Sequence, residues 1–148
     1  MRSFLTALLT VSLLACARNA SEDNATSSAG GGELSGDQWR LVQLEGDTVV
    51  SGPIEPPHIR FTAEDSLRVG GSTGCNSMGG TYEASGSTLR FGPLITTKRA
   101  CADSAANAQE VRFVGALERT DGYRIEDGRL ILLAGSQPVA EFVRGEAR

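Results

Sequence analysis

The chain has 148 residues, a net charge of -4 and 40% apolar side chains, which suits one folded domain and gives no general basic field to hold nucleic acid. One histidine and three cysteines provide no metal-ligand cluster of recognisable spacing, so no metal or other cofactor is expected. The 18 glycines point to a turn-rich fold.

Met1 and Arg2 supply a positive charge ahead of an apolar run from Phe4 to Leu14, which ends in Leu13-Leu14-Ala15-Cys16. That run is shorter than the ~20 apolar residues of a bilayer span, so residues 1–15 read as a secretory signal. Its end resembles a bacterial lipobox, in which signal peptidase II cuts before the cysteine and Cys16 then carries the lipid. Two or more acyl chains, at about 0.8 kcal/mol per buried methylene, hold a protein stably at a membrane. Ala17 in place of Asp resembles lipoproteins sorted to an outer membrane. The expected location is therefore the bacterial cell envelope, on the outer membrane and facing the periplasm.

Residues 16–36 carry Ser, Asn, Thr, Gly and acidic side chains, with Leu34 as the only large apolar one. Such a stretch buries too little surface to fold and reads as a disordered tether, with a reach of roughly 25 Å. A single domain is expected over residues 37–145.

Within it the apolar pattern has period two, the mark of half-buried strands. An apolar-Arg-apolar triad recurs around Arg40, Arg60, Arg68, Arg90 and Arg124. Thr81–Ala84, Leu130–Leu133 and Val139–Val143 bring the expected strands to about eight. Gly70-Gly71, Ser85-Gly86-Ser87, Asp127-Gly128 and Gly135-Ser136 read as the breaks between them, Asp127-Gly128 being a strong hairpin signal. One helix interrupts the strands at about 103–119. Asp103 or Ser104 caps it, Phe113, Val114 and Leu117 form its apolar stripe, and Thr120-Asp121-Gly122 ends it. The fold class is α+β: a curled antiparallel sheet, or incomplete β-barrel, plugged by one helix. Glu110 lies on the helix's apolar stripe, where a carboxylate needs a partner. Backbone groups or Thr96 and Thr97 are the expected ones.

The stretch from Gly70 to Cys101 organises the rest. Gly74-Cys75-Asn76 with Gly80-x-Tyr82, then Thr97-x-x-Ala100-Cys101, then Glu110-x-x-Phe113-x-x-x-Leu117, resembles the META domain of the HslJ-like proteins from about Trp39 to Arg144. The resemblance implies a small barrel-like sheet with one helix, similar in shape to pilotin lipoproteins, and an association with heat shock. It implies no agreed reaction.

With Cys16 set aside for lipid, Cys75 and Cys101 remain as a pair in a compartment that permits disulfides. There is no Cys-x-x-Cys and no Gly-x-Ser-x-Gly, and His58 follows Pro56-Pro57 in an expected loop. Catalysis by a thiol or a serine triad therefore lacks its partners. Arginine supplies thirteen of the fourteen basic residues. The five triad arginines either pair with Glu83, Glu126, Asp127 or Glu141 on neighbouring strands, or form a face for an anionic envelope component such as lipopolysaccharide phosphate. Two classes of function stay open. The first is a non-enzymatic envelope module that binds a partner protein or an apolar or anionic ligand; the second is an envelope hydrolase or thiol-redox protein.

Overall fold

The computed structural model describes residues 31–51, 55–63, 66–99 and 101–145. The signal segment, Cys16 and the tether as far as residue 30 lie outside the described residues. A helical turn, α1 (Gly31–Leu34), comes first. Seven strands precede the long helix: β1 (Gln38–Leu44), β2 (Asp47–Thr48), β3 (His58–Thr62), β4 (Arg68–Ser72), β5 (Ser77–Ser85), β6 (Thr88–Phe91) and β7 (Ile95–Thr96). Helix α2 (Ser104–Glu118) follows, and then β8 (Gly122–Glu126), β9 (Arg129–Ala134) and β10 (Gln137–Gly145). The two strands beyond the expected eight, β2 and β7, have two residues each and are too short to show a period.

Every strand pairing is antiparallel, in the order β10-β9-β8-β6-β5-β4-β3-β1-β2, with β7 beside β5. β1 also pairs with β10 from Gln38–Gly145 to Leu44–Ala140, which closes the sheet into a ring. The seam between β6 and β8 is narrow: Thr88 pairs with Gly122, and Tyr123 N donates to Ser87 O at 2.9 Å. The Asp127-Gly128 hairpin behaves as expected, with φ of 50° and 74°, the left-handed pair that a tight two-residue loop needs.

Alternation turns Trp39, Leu41, Ile59, Phe61, Tyr82, Leu89, Leu130, Leu132 and Phe142 inward, where all are buried. Phe61 and Tyr82 meet edge to face at 4.9 Å. Asp103 caps α2 by accepting from Ala105 N at 2.8 Å. The helix buries Ala106, Gln109, Phe113, Ala116 and Leu117, so its inner stripe is one of small and large side chains rather than the expected Phe113-Val114-Leu117. Leu34, the one large apolar side chain of the expected tether, is fully buried, and its carbonyl accepts from Trp39 Nε1 at 3.1 Å.

Gly70 and Gly71 do not break the chain; both lie inside β4. The reason is contact rather than turning. A Cβ on Gly71 would stand 2.1 Å from His58 O on the neighbouring strand, so glycine lets the two backbones close. The turn falls later, at Gly74, where φ is 99°.

Candidate functional site: a buried node and an outer groove

The turn between β4 and β5 carries Thr73, Gly74, Cys75 and Asn76, and it lies against the N-terminal half of α2. Asn76 is buried and every polar atom of its amide is used. Its Nδ2 donates to Glu110 Oε1 at 3.1 Å and Oε2 at 2.9 Å, and to Arg99 O at 3.3 Å. Its Oδ1 accepts from Thr97 Oγ1 at 2.9 Å and from Arg99 N at 2.7 Å. The hydroxyl of Thr73 donates to Glu110 Oε2 and accepts from Asn76 N at 3.0 Å. Glu110 therefore takes its hydrogen bonds from Asn76 and Thr73, not from Thr96 or Thr97. Thr97 reaches the acceptor end of the same amide instead, because β7 runs beside the start of β5.

Cys75 and Cys101 are joined, with Cα atoms 6.1 Å apart. The link ties this turn to the segment leading into α2, where Asn107 Nδ2 donates to Cys101 O at 3.0 Å. Disulfide and amide thus hold the same strap, the amide at Thr97 and Arg99 and the disulfide at Cys101.

A model of the META domain matches residues 32–147. The chain belongs to the META domain family. Among solved structures it is similar to a protein from Burkholderia xenovorans determined by NMR, with 21% identity, a TM-score of 0.62, and coverage of 80% of this chain and 88% of that one. Another NMR structure shares 22% identity at a TM-score of 0.61, covering 76% of this chain and 93% of that one. A crystal structure of a DUF4847 family protein from Bacteroides vulgatus ATCC 8482 gives 18% identity and a TM-score of 0.55, covering 80% and 99%. These likenesses show the fold. No curated protein matches the chain.

In this META domain the residues of the family pattern have distinct places. Gly74 supplies the left-handed turn, and Asn76, Thr97 and Glu110 form the node. Gly80 lets the chain after β6 pass close, since a Cβ there would lie 2.8 Å from Pro93 O. Tyr82 is core, packed on Phe61. His58 opens β3, its Nδ1 3.1 Å from Pro56 O and 3.8 Å from Glu55.

Two anchors of α2 escape a sequence reading. The side chain of Gln109 makes a two-way bond with the Val50 backbone, accepting at 2.7 Å and donating at 2.8 Å. Arg112 donates to Glu45 and Asp47, both at 2.8 Å, and to Leu44 O at 3.2 Å. Hydrogen bonding from Arg112, followed by that from Arg119, holds the Glu45 carboxyl below its usual range against the opposing effect of burial. The Arg112 guanidinium is raised in turn, chiefly by its hydrogen bonds to Glu45 and Asp47. No motif announces these bonds, because they join positions 59 to 68 residues apart.

The five triad arginines do not converge. Arg124, on β8, lies 3.0 Å from Glu126, and Arg90, on β6, stands across from Glu83 of β5. The other three occupy successive strands of the outer face. Arg40 pairs in register with His58, and Arg60 pairs with Gln38 and with Gly70. Arg68 is opposite Thr62. Arg60 is thus a diagonal neighbour of both Arg40 and Arg68, about 7–8 Å away by sheet geometry. Among the described residues none of the three forms an ion pair. Arg60 Nη2 donates to Gln38 Oε1 at 3.3 Å, and Arg68 Nε donates to Ser66 Oγ at 3.0 Å.

Beside these arginines the outer face is hollow. One shallow depression of about 340 Å³ lies over His58, Arg60, Thr62, Arg68 and Gly70. A second of about 440 Å³ lies over Ser77, Gly79, Ile95 and Thr97. Arg68 and Val69 border both.

Proposed function

We propose that this META domain is a lipid-anchored, non-enzymatic binding or structural module of the bacterial cell envelope, active in envelope stress. The observation that carries the reading is the engagement of Glu110. The motif-borne carboxylate accepts at both its oxygens from Asn76 and Thr73 of the β4–β5 turn, which gives it the structural task of fastening helix to sheet. Cys75 and Cys101 are tied to each other and present no thiolate for attack. The Leu13-Leu14-Ala15-Cys16 pattern supports the anchor, and the heat-shock association of HslJ-like proteins supports the stress role.

Labelling cells with a palmitate analogue tests the anchor. Label on the wild-type protein and none on Cys16→Ala is the expected result; label that persists on the variant overturns lipidation at this residue. Ester, peptide, phosphate and disulfide-exchange assays test the absence of catalysis. Turnover lost on His58→Ala or Glu110→Gln, with the fold retained, would make the domain an enzyme. A deletion strain should survive heat or detergent stress less well than its parent, and equal survival removes the stress role.

A further inference from the structure

We infer that the outer face of β3, β4, β5 and β7 is a binding groove for an anionic amphiphile, a phosphorylated molecule with a short apolar body. The inference rests on the reading of the domain as a binding module and does not depend on the lipid anchor.

The groove exists because of a row across four strands. Arg60 pairs with Gly70, Gly70 with Gly79, and Gly79 with Ile95. Successive strands are about 4.8 Å apart, so Arg60 and Ile95 bracket a gap of roughly 14 Å whose two middle positions have no side chain. Of the four glycines on β4 and β5, the two that face inward are required by close approach. Gly71 meets His58 O at 2.1 Å, and Gly80 meets Pro93 O at 2.8 Å. Gly70 and Gly79, which face outward, are not so constrained. A Cβ on Gly70 would lie 3.9 Å from its nearest neighbour, and one on Gly79 would lie 3.8 Å away, both ordinary contacts. Neither glycine has a positive φ. Glycine inside a strand weakens it, and it often marks a place where another molecule comes close.

The ends of the row differ in chemistry. At one end Arg60 and Arg68 lie diagonally adjacent, and among the described residues their guanidinium groups bond only the neutral side chains of Gln38 and Ser66. The guanidinium fork suits a phosphate or carboxylate. At the other end Ile95 is 77% exposed, an apolar side chain with no protein cover. The two shallow depressions, which meet at Arg68 and Val69, thus have a cationic end and an apolar end. A cationic end about 14 Å from an apolar end suits a single amphiphilic molecule.

Octyl phosphate, below its micelle concentration, is the probe. Titrating it into the isotope-labelled full chain carrying Cys16→Ser, followed by amide chemical shifts, keeps the result independent of lipidation. Saturable shifts at Gly70, Gly79 and Ile95 are expected, with octanol and inorganic phosphate each binding at least about tenfold more weakly. Arg60→Gln with Arg68→Gln should weaken octyl phosphate roughly tenfold or more. Gly79→Val should abolish binding while leaving the unfolding midpoint unchanged or raised, since a β-branched residue favours a strand. Gly70→Ala with Gly79→Ala is the milder filling and should weaken binding several-fold. Octanol binding as tightly as octyl phosphate would remove the role of charge. Shifts confined to another face, or undiminished binding in both filled variants, would overturn the groove. Binding only to vesicles of anionic phospholipid would replace it with a membrane-contact surface.

Discussion

Asn76 Nδ2 stands 3.1 and 2.9 Å from the two carboxylate oxygens of Glu110, across 34 positions of sequence. One side-chain amide thereby joins the β4–β5 turn to the helix while its oxygen holds Thr97 and the backbone of Arg99. A buried polar network of this kind stabilises when every member is satisfied and is costly when one is removed.

Asn76→Ala should therefore destabilise the domain by roughly 2 to 4 kcal/mol, because it strands Arg99 N and leaves Glu110 with Thr73 alone. Glu110→Gln keeps the shape but sets an NH₂ group against its former donors, and should cost about 1 to 2 kcal/mol. Asn76→Asp brings a second carboxylate against Glu110. It should be the least stable of the three at neutral pH and recover on acidification, as one of the pair takes up a proton. Urea denaturation at pH 7 and pH 4 measures all three, and an Asn76→Asp variant insensitive to pH would contradict this picture.

The disulfide closes a loop over a separation of 26 residues. In the chain-entropy model that contributes about 3 to 4 kcal/mol by restricting the unfolded chain. Replacing Cys75 and Cys101 by Ala should lower the denaturation midpoint accordingly. Digestion of the oxidised protein without reductant should yield one cross-linked peptide pair. Free thiols at both positions in freshly isolated protein would show that the Asn76 network holds the strap unaided.

Much of this architecture is legible in the sequence because it is local. The apolar-Arg-apolar triads place β1, β3, β4, β6 and β8 by their period alone, and Asp127-Gly128 marks its hairpin because two left-handed residues are needed there. Gly70-Gly71 misleads for a physical reason. Glycine signals a turn by its freedom and a close strand contact by its size, and sequence does not say which applies. The short strand β7 has no period to read, yet it brings Thr97 to Asn76 and Ile95 to the groove. The partners of Glu110 depend on that placement. The arginines illustrate the same limit: alternation sends them outward, while strand order decides that Arg40, Arg60 and Arg68 are neighbours and Arg90 and Arg124 are not.

Gly71 and Gly70, adjacent in β4, should respond in opposite ways to the same substitution. Gly71→Ala pushes a methyl group to within 2.1 Å of the His58 carbonyl. It should cost more than about 2 kcal/mol or separate β3 from β4. Gly70→Ala meets nothing closer than 3.9 Å and should be neutral or slightly stabilising. Hydrogen exchange of the β3 and β4 amides in the two variants reads the difference locally, and equal loss in both would contradict a close approach at Gly71 alone.

Tyr123 sets how the domain responds to alkali. Burial raises its phenol above the ordinary value near 10, and the nearby Glu33 and Tyr82 push it further in the same direction. The folded state therefore holds this proton more tightly than the unfolded chain does. The associated stability is fully present below the unfolded pKa and is lost as pH rises through the folded one, a window that opens above about pH 10. Urea midpoints taken from pH 8 to 11.5 should fall at the alkaline end in the wild type. Tyr123→Phe should fall less steeply over the same range, whatever its stability at pH 8, because the substituted ring has no proton to lose. Parallel curves for the two proteins would show that the alkaline loss arises elsewhere.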